Sequence, residues 1–221
     1  MATSGTYSAV ANFTVAQVID EAFRRCKLDP SMMTAEHMLS ARISLDLMFT
    51  DWINDGVQQF IIDQETESLT GDGTDISFAT PTGTIDVLDM IYRDASENDI
   101  QIEAVSRRDY LYINNKEVSG QPITYFVDKT TLPPTVYLWP VQNITGTSVV
   151  YNRLRQIQDV GSPVNTIDTT VTYKEAMCAC LAAKLAEKYA DPVLEDKLII
   201  KSQISYKRAK DQDRDRAPYI I

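Results

Sequence analysis

The sequence predicts an α+β protein: a helical core built from the N- and C-terminal helices, a β-rich antiparallel middle region, and an extended C-terminal tail. Apolar residues recur at helical spacing behind capping residues near both ends of the chain. From Gly56 the pattern changes to period two, or to short apolar runs broken by Gly, Pro, Asn and Asp. Strand-like segments then follow one another without the regular helix insertions of a βαβ fold. The expected layout is one domain over residues 1–211, with helices at about 14–28, 35–56, 173–190 and 192–210, a β-rich region at about 58–158, and a tail over 212–221.

The first helix is written in "FTVAQVIDEAFRRCKL". Thr14 and Gln17 have capping-box spacing, and Phe13 is placed to staple onto Val18. Val15, Val18, Ile19, Ala22, Phe23 and Cys26 form one stripe, which should stop near Asp29–Pro30 because the residue before proline avoids the helical region. The second helix begins after Thr34. Met38, Ala41, Leu45, Met48 and Trp52 make its stripe, and Leu39, Ile43, Leu47, Phe49 and Ile53 widen it past half the circumference. A helix that wide packs against several elements at once, within the subunit or across a subunit boundary.

Seven segments read as strands: "QFIIDQETESLT", "TDISFAT", "TIDVLDMIYR", "NDIQIEAV", "PITYFVDK", "TVYLWP" and "TSVVYNRLRQI". A short helix capped by Ser106 and carrying Tyr110 and Leu111 interrupts them, followed by the loop "NNKEVSGQP". In "PTVYLWPVQ", Val136, Leu138 and Pro140 alternate with Tyr137 and Trp139, giving a strand of two unlike faces that a proline should end. The chain returns to helix at "TYKEAMCACLAAKLAEKYADP". Thr172 and Glu175 have capping-box spacing there, and Ala176, Ala179, Ala183, Ala186 and Ala190 permit close helix approach. Asp191 and Pro192, as N-cap and first residue, open the last helix, which is apolar through Ile204 and then almost wholly charged. Behind that mixed-charge stretch, "APYII" puts three large apolar side chains on a terminus. It either docks in a partner's groove, folds back on the subunit, or stays unordered.

Composition excludes several functions. The net charge is −10, with 4 basic and 12 acidic residues in 1–75 but 10 basic and 9 acidic in 161–221. No basic patch large enough to neutralise several phosphates is evident, so sequence-specific DNA binding is not expected. The first thirty residues lack a signal-peptide pattern and no stretch offers about 18 uninterrupted apolar residues, so neither secretion nor a membrane span is expected. Cys26, Cys178 and Cys180 read as reduced, buried small hydrophobes, and the single histidine, His37, as a surface residue near a helix start. Phosphate-loop, dinucleotide, nucleophile-elbow and calcium-loop motifs are absent. No catalytic, metal or cofactor residue is assigned. The one arrangement open to chemistry is the carboxylate series Asp63, Glu65 and Glu67 on one strand face, which reads as a solvated face and alternatively as a pair for glycan hydrolysis at a separation of about 5–10 Å.

Taken in order, "ATSGTYS", "IDEAFRRCKL", "ARISLDLMFTDWINDG", "TIDVLDMIYR", "SRRDYLYINNKEVSGQPITYFVDK", "PTVYLWPVQ", "VVYNRLRQIQDVG" and "DQDRDRAPYII" resemble the head-to-tail adaptor, or packaged-DNA stabilisation, proteins of short-tailed bacteriophages. The resemblance implies a virion structural protein at the head–tail junction, made in the bacterial host cytoplasm. It further implies a ring, typically of twelve identical subunits, that binds the portal protein, extends the DNA channel, helps retain packaged DNA and carries the tail nozzle or needle proteins. No cofactor is implied. The portal-docking tail would use Arg214, Arg216, Pro218, Tyr219, Ile220 and Ile221. Trp139, Tyr112 and Lys116 stand as candidate residues of a subunit or tail interface, with Trp139 either closing the small core or meeting a neighbour. An acidic channel wall would let DNA slide by repelling its phosphates. The alternatives are a virion-associated, carboxylate-dependent cell-wall glycan hydrolase and a tail tubular or nozzle protein.

Overall fold

A computed structural model describes residues 13–56, 59–73 and 75–213. The elements run α1 (Val15–Arg25), α2 (Ala35–Asn54), β1 (Ile62–Leu69), β2 (Asp75–Ala79), β3 (Thr84–Arg93), β4 (Asp99–Gln101), β5 (Glu103–Ala104), α3 (Arg107–Tyr112), β6 (Thr124–Asp128), β7 (Thr135–Gln142), β8 (Thr147–Arg155), α4 (Lys174–Tyr189) and α5 (Pro192–Gln212). The fold is α+β, as the sequence predicts, and it divides into two compact units: Met1–Phe60 with Ile157–Ile221, and Ile61–Gln156. Among the described residues no helix is long and apolar enough to cross a membrane.

In the helical unit α4 is the central element, packed by α1, α2 and α5. Its Ala176, Ala179, Ala182 and Ala186 are fully or almost fully buried, and small side chains let neighbouring backbones come close. Cys26 Sγ accordingly reaches the Ala182 carbonyl at 3.3 Å. The α1 stripe is buried as expected. Its capping box forms between Thr14 and Gln17, and its next free N–H groups are satisfied by the strap before α4: Val15 N donates to Asn165 O and Ala16 N to Pro163 O, both at 3.0 Å. The helix stops at Arg25 rather than at Pro30 because Lys27 turns to a left-handed φ of 61°. The expected Thr172–Glu175 capping box does not form. The helix starts later, on Tyr173, and Thr172 bonds Thr170 Oγ1 instead. Glu175 is taken by Arg25 of α1, whose guanidinium holds both carboxylate oxygens at 2.8 Å. α2 does begin with a capping box, but on His37, whose Nδ1 accepts from Thr34 N. His37 also sits edge-on to Phe23 and Tyr189, so it is a packing residue as well as a cap. Asp191 and Pro192 open α5 as expected.

The second unit is a sandwich of two four-stranded sheets, ordered β1-β8-β3-β4 and β2-β7-β6-β5. The pairings between these strands are antiparallel, as expected for this region, except that of β5 with β6 at one edge, which is parallel. "NDIQIEAV", expected as one strand, crosses between sheets. β4 pairs with β3, β5 pairs with β6, and buried Ile102 marks the changeover. Leu69, Val87, Met90, Tyr92, Tyr125, Val136, Leu138, Val149 and Tyr151 fill the space between the sheets. Bulges in β3 re-phase its side chains, so that Val87 and Met90 both point inward although they are three residues apart. Pro140 does not end β7. The strand runs to Gln142, because a register shift opposite β2 gives proline a position where no ladder donor is needed.

Candidate functional site

Two of the three predicted interface residues come together near the outer face of β6 and β7: Trp139 on β7 and Lys116 on the loop after α3. Phe126 and Tyr137 are cross-strand partners on that face. α3 lies over them: Tyr110 stacks on Phe126 at 5.3 Å between ring centroids and meets Tyr137 at 5.4 Å. Ser106 holds the start of α3, its Oγ accepting from Asp109 N at 3.2 Å. Arg107 sits 5.4 Å from the Phe126 ring centre and pairs with Asp128 at 2.5 Å. Desolvation of Tyr110, with Tyr137 beside it, raises its phenol pKa above the ordinary value.

The loop that follows is fastened to this platform. Lys116 Nζ donates to Ile113 O at 3.0 Å and lies 5.3 Å from the Tyr110 ring centre, a cation placed on the free carbonyls at the end of α3. Trp139 Nε1 donates to Asn115 O at 3.0 Å. Trp139 and Lys116 therefore anchor the loop. Tyr112 is set apart from them: it is 66 % exposed, with the Arg108 guanidinium over its ring at 5.5 Å, next to Leu111 at 70 %. The surface they offer is aromatic, aliphatic and cationic, suited to a protein partner.

The portal-docking candidates Arg214, Arg216, Pro218, Tyr219, Ile220 and Ile221 lie outside the described residues. The residues just before them are fixed. Tyr206 stacks on Trp52 at 5.1 Å and 18°, and its hydroxyl donates to Asp55 Oδ2 at 3.0 Å. Lys210 Nζ reaches Asp55 Oδ2 at 2.5 Å and Asp55 O at 2.8 Å, and Asp213 Oδ2 accepts from Gln59 N at 2.8 Å. The Lys210 ammonium and then the Tyr206 hydroxyl hold the Asp55 carboxyl below the usual aspartate range.

Asp63, Glu65 and Glu67 do not form a solvated face. They stand opposite Arg153, Tyr151 and Val149 on β8, and therefore on the side of the sheet that carries the core. Arg153 bonds Glu65 at 3.0 Å and Asp63 at 3.2 Å, and Arg155 bonds Asp63 at 3.0 Å. Charges turned inward on an edge strand discourage edge-to-edge pairing with another sheet, and here arginines of β8 neutralise Asp63 and Glu65. Burial, with Glu65 and Glu67 nearby, pushes the Tyr151 phenol up to about 12.

The three thiols are free, and burial pushes Cys26 and Cys178 up to about 11 and Cys180 to about 12, so they are neutral and unreactive near neutral pH. Among the described residues no group of three or more His, Cys, Asp or Glu side chains could hold a metal ion. Sequence reasoning missed the Tyr110 platform and the Asp55–Lys210 anchor, since each joins residues far apart in the chain.

A family model described as SU10 adaptor protein matches residues 13–218, nearly the whole chain. No curated protein matches it.

Proposed function

Because the chain belongs to the SU10 adaptor family, phage adaptors with a structural role, we propose that it forms a ring at the head–tail junction, binds the portal, extends the DNA channel and carries the tail. In this reading residues 1–211 act as one adaptor domain and residues 212–221 as the portal-docking tail. Tyr112, the last residue of α3, just before the loop anchored by Trp139 and Lys116, faces a tail nozzle or needle protein or the next subunit. DNA passes without sequence-specific binding, and a net charge of −10 keeps phosphates from being held. The observation that carries the reading is the root of the tail. Lys210 and Asp213 tie the end of α5 to Asp55 and Gln59, so "RDRAPYII" starts from a fixed point. A tether that begins at a fixed point searches a smaller volume for its groove than one on a frayed helix.

The test is truncation after Asp213, which preserves the anchor. The shortened protein keeps the helical content of the full chain by circular dichroism and loses co-sedimentation with portal rings. Undiminished portal binding by the truncated chain would remove the tail from the proposal.

A further inference from the structure

The helical unit leaves two apolar stripes uncovered. On α2, Leu39, Ile43 and Leu47 are 56 %, 50 % and 56 % exposed, while the opposite side of the same helix buries Ala41, Leu45, Met48 and Trp52. At 100° per residue the three fall within an arc of about 100° that also contains Glu36 and Asp46. On α5, Val193, Ile200 and Ile204 are 64 %, 58 % and 47 % exposed and share an arc of about 120° with Lys197, Lys207 and Arg208, and with Asp196 and Asp211, a small basic excess. Glu36 on the first stripe, and Lys197, Lys207 and Arg208 on the second, form no ion pair among the described residues.

We infer that these stripes are the two halves of one head-to-tail contact between copies of this chain, the acid-flanked outer face of α2 in one copy packing against the base-flanked outer face of α5 in the next. The charges select this pairing. A two-fold contact of α2 with α2 would set Glu36 and Asp46 against their own copies, and α5 with α5 would leave that acidic α2 stripe without a cationic partner. Pairing α2 with α5 brings opposite signs together at the rim of an apolar strip, the usual anatomy of a stable interface. The stripes match in extent, since eight residues of α2 rise about 12 Å and eleven of α5 about 16 Å, so each of the three side chains on one finds a row on the other. Because the two halves lie on different helices of one unit, each copy donates one and accepts the other. Such a heterologous contact propagates, closing into a ring when its rotation closes. This deepens the ring proposed above and rests on it for the setting, but the contact stands or falls on its own residues.

The test is disulfide trapping in the full-length protein. Ile43→Cys and Ile200→Cys are made separately, one with a size tag, then mixed and oxidised with and without portal rings. Both positions are at least half exposed, so the fold should be unaffected, and circular dichroism of each variant checks that. The native thiols are raised to about 11 or 12 by burial and remain silent. The expected product is the 43–200 heterodimer alone, with its yield reduced about tenfold by adding Leu47→Asp to the Ile43→Cys chain. Homodimers through 43–43 or 200–200 would replace the head-to-tail contact with a two-fold one and overturn the inference, as would no cross-link in either condition. Co-sedimentation of the unmodified chain with portal is read in the same samples. Portal binding without the 43–200 link sinks this contact and leaves the adaptor reading, whereas the link without portal binding does the reverse.

Discussion

In the helical unit, α4 is enclosed by three other helices while α2 and α5 turn whole apolar stripes outward. In the sandwich, the inner faces of both sheets are buried on each other and the aromatic outer face of β6–β7 is roofed by α3. The first unit buries Ile19, Phe23, Leu45, Met48, Leu181 and Leu185 against the small residues of α4, and yet leaves a second set of large aliphatic side chains on its surface. The second packs most of its aromatic residues on itself, Tyr112 excepted, and turns charges of its edge strand inward against Arg153 and Arg155. The difference teaches where assembly and where independent stability reside. An open helix face of leucines and isoleucines is what the proposed contact between copies would use, while a blunted sheet edge is a surface kept from contact.

Removing a large side chain from the helical core separates its two kinds of apolar residue most sharply. Phe23 is fully buried, touching His37 and Tyr189. Phe23→Ala should cost about 3–5 kcal/mol in urea unfolding followed by circular dichroism. Leu47→Ser, on the outward stripe, should change stability by no more than about 0.5 kcal/mol. Comparable losses at both positions would mean that the outward stripe is part of the fold, and the contrast drawn above would fail.

A smaller effect is expected from the polar centre of the sandwich. Gln142, fully buried, donates to the Tyr92 hydroxyl and to Thr147 Oγ1, and its own Oε1 accepts from Asn143 N at 2.9 Å. Gln142→Leu keeps the volume roughly constant and orphans those groups, at about 1–3 kcal/mol. Amide exchange read peptide by peptide should show the loss in β3, β7 and β8 and leave α4 unchanged. Equal loss of protection in α4 would show that the two units unfold as one.

What could be read from the sequence followed how local its cause was. The boxes and caps at Thr14, Asp191 and Ser106 need only neighbouring residues, and they form. The Thr172–Glu175 box has the same local spacing and fails, because Arg25, 150 residues away in the chain, competes for the glutamate with two charge-assisted bonds. The alternation of Asp63, Glu65 and Glu67 was legible, but which side of the sheet they faced depended on the register with β8. In the candidate site, Trp139 was legible as one face of a two-faced strand. Its role in holding the loop through Asn115, and Lys116's role at the end of α3, required the fold. The outward part of the α2 stripe was written as excess width in the apolar pattern. Only burial distinguishes its inner residues from Leu39, Ile43 and Leu47.

The smallest expected effect concerns acid, and it falls at the root of the tail. Asp55 has its pKa lowered in the folded protein by Lys210 and Tyr206. A carboxyl with a depressed folded pKa stabilises the fold above its unfolded value, about 3.9, and that contribution is lost as pH falls through the lower folded value. The pair is largely solvent-exposed, with side chains 31 % and 51 % accessible, so the contribution is at most about 1 kcal/mol and local. Acidification from pH 6 to pH 2 should therefore loosen the last turns of α5 before the enclosed helices, seen as faster amide exchange in residues 205–213 after correction for the intrinsic rate. Lys210→Met should show that faster exchange already at pH 6, with a weaker response to acid. Protection in 205–213 that is the same at both pH values would mean the stack of Tyr206 on Trp52 holds the helix end by itself, leaving the charge pair without a structural part in fixing the tail.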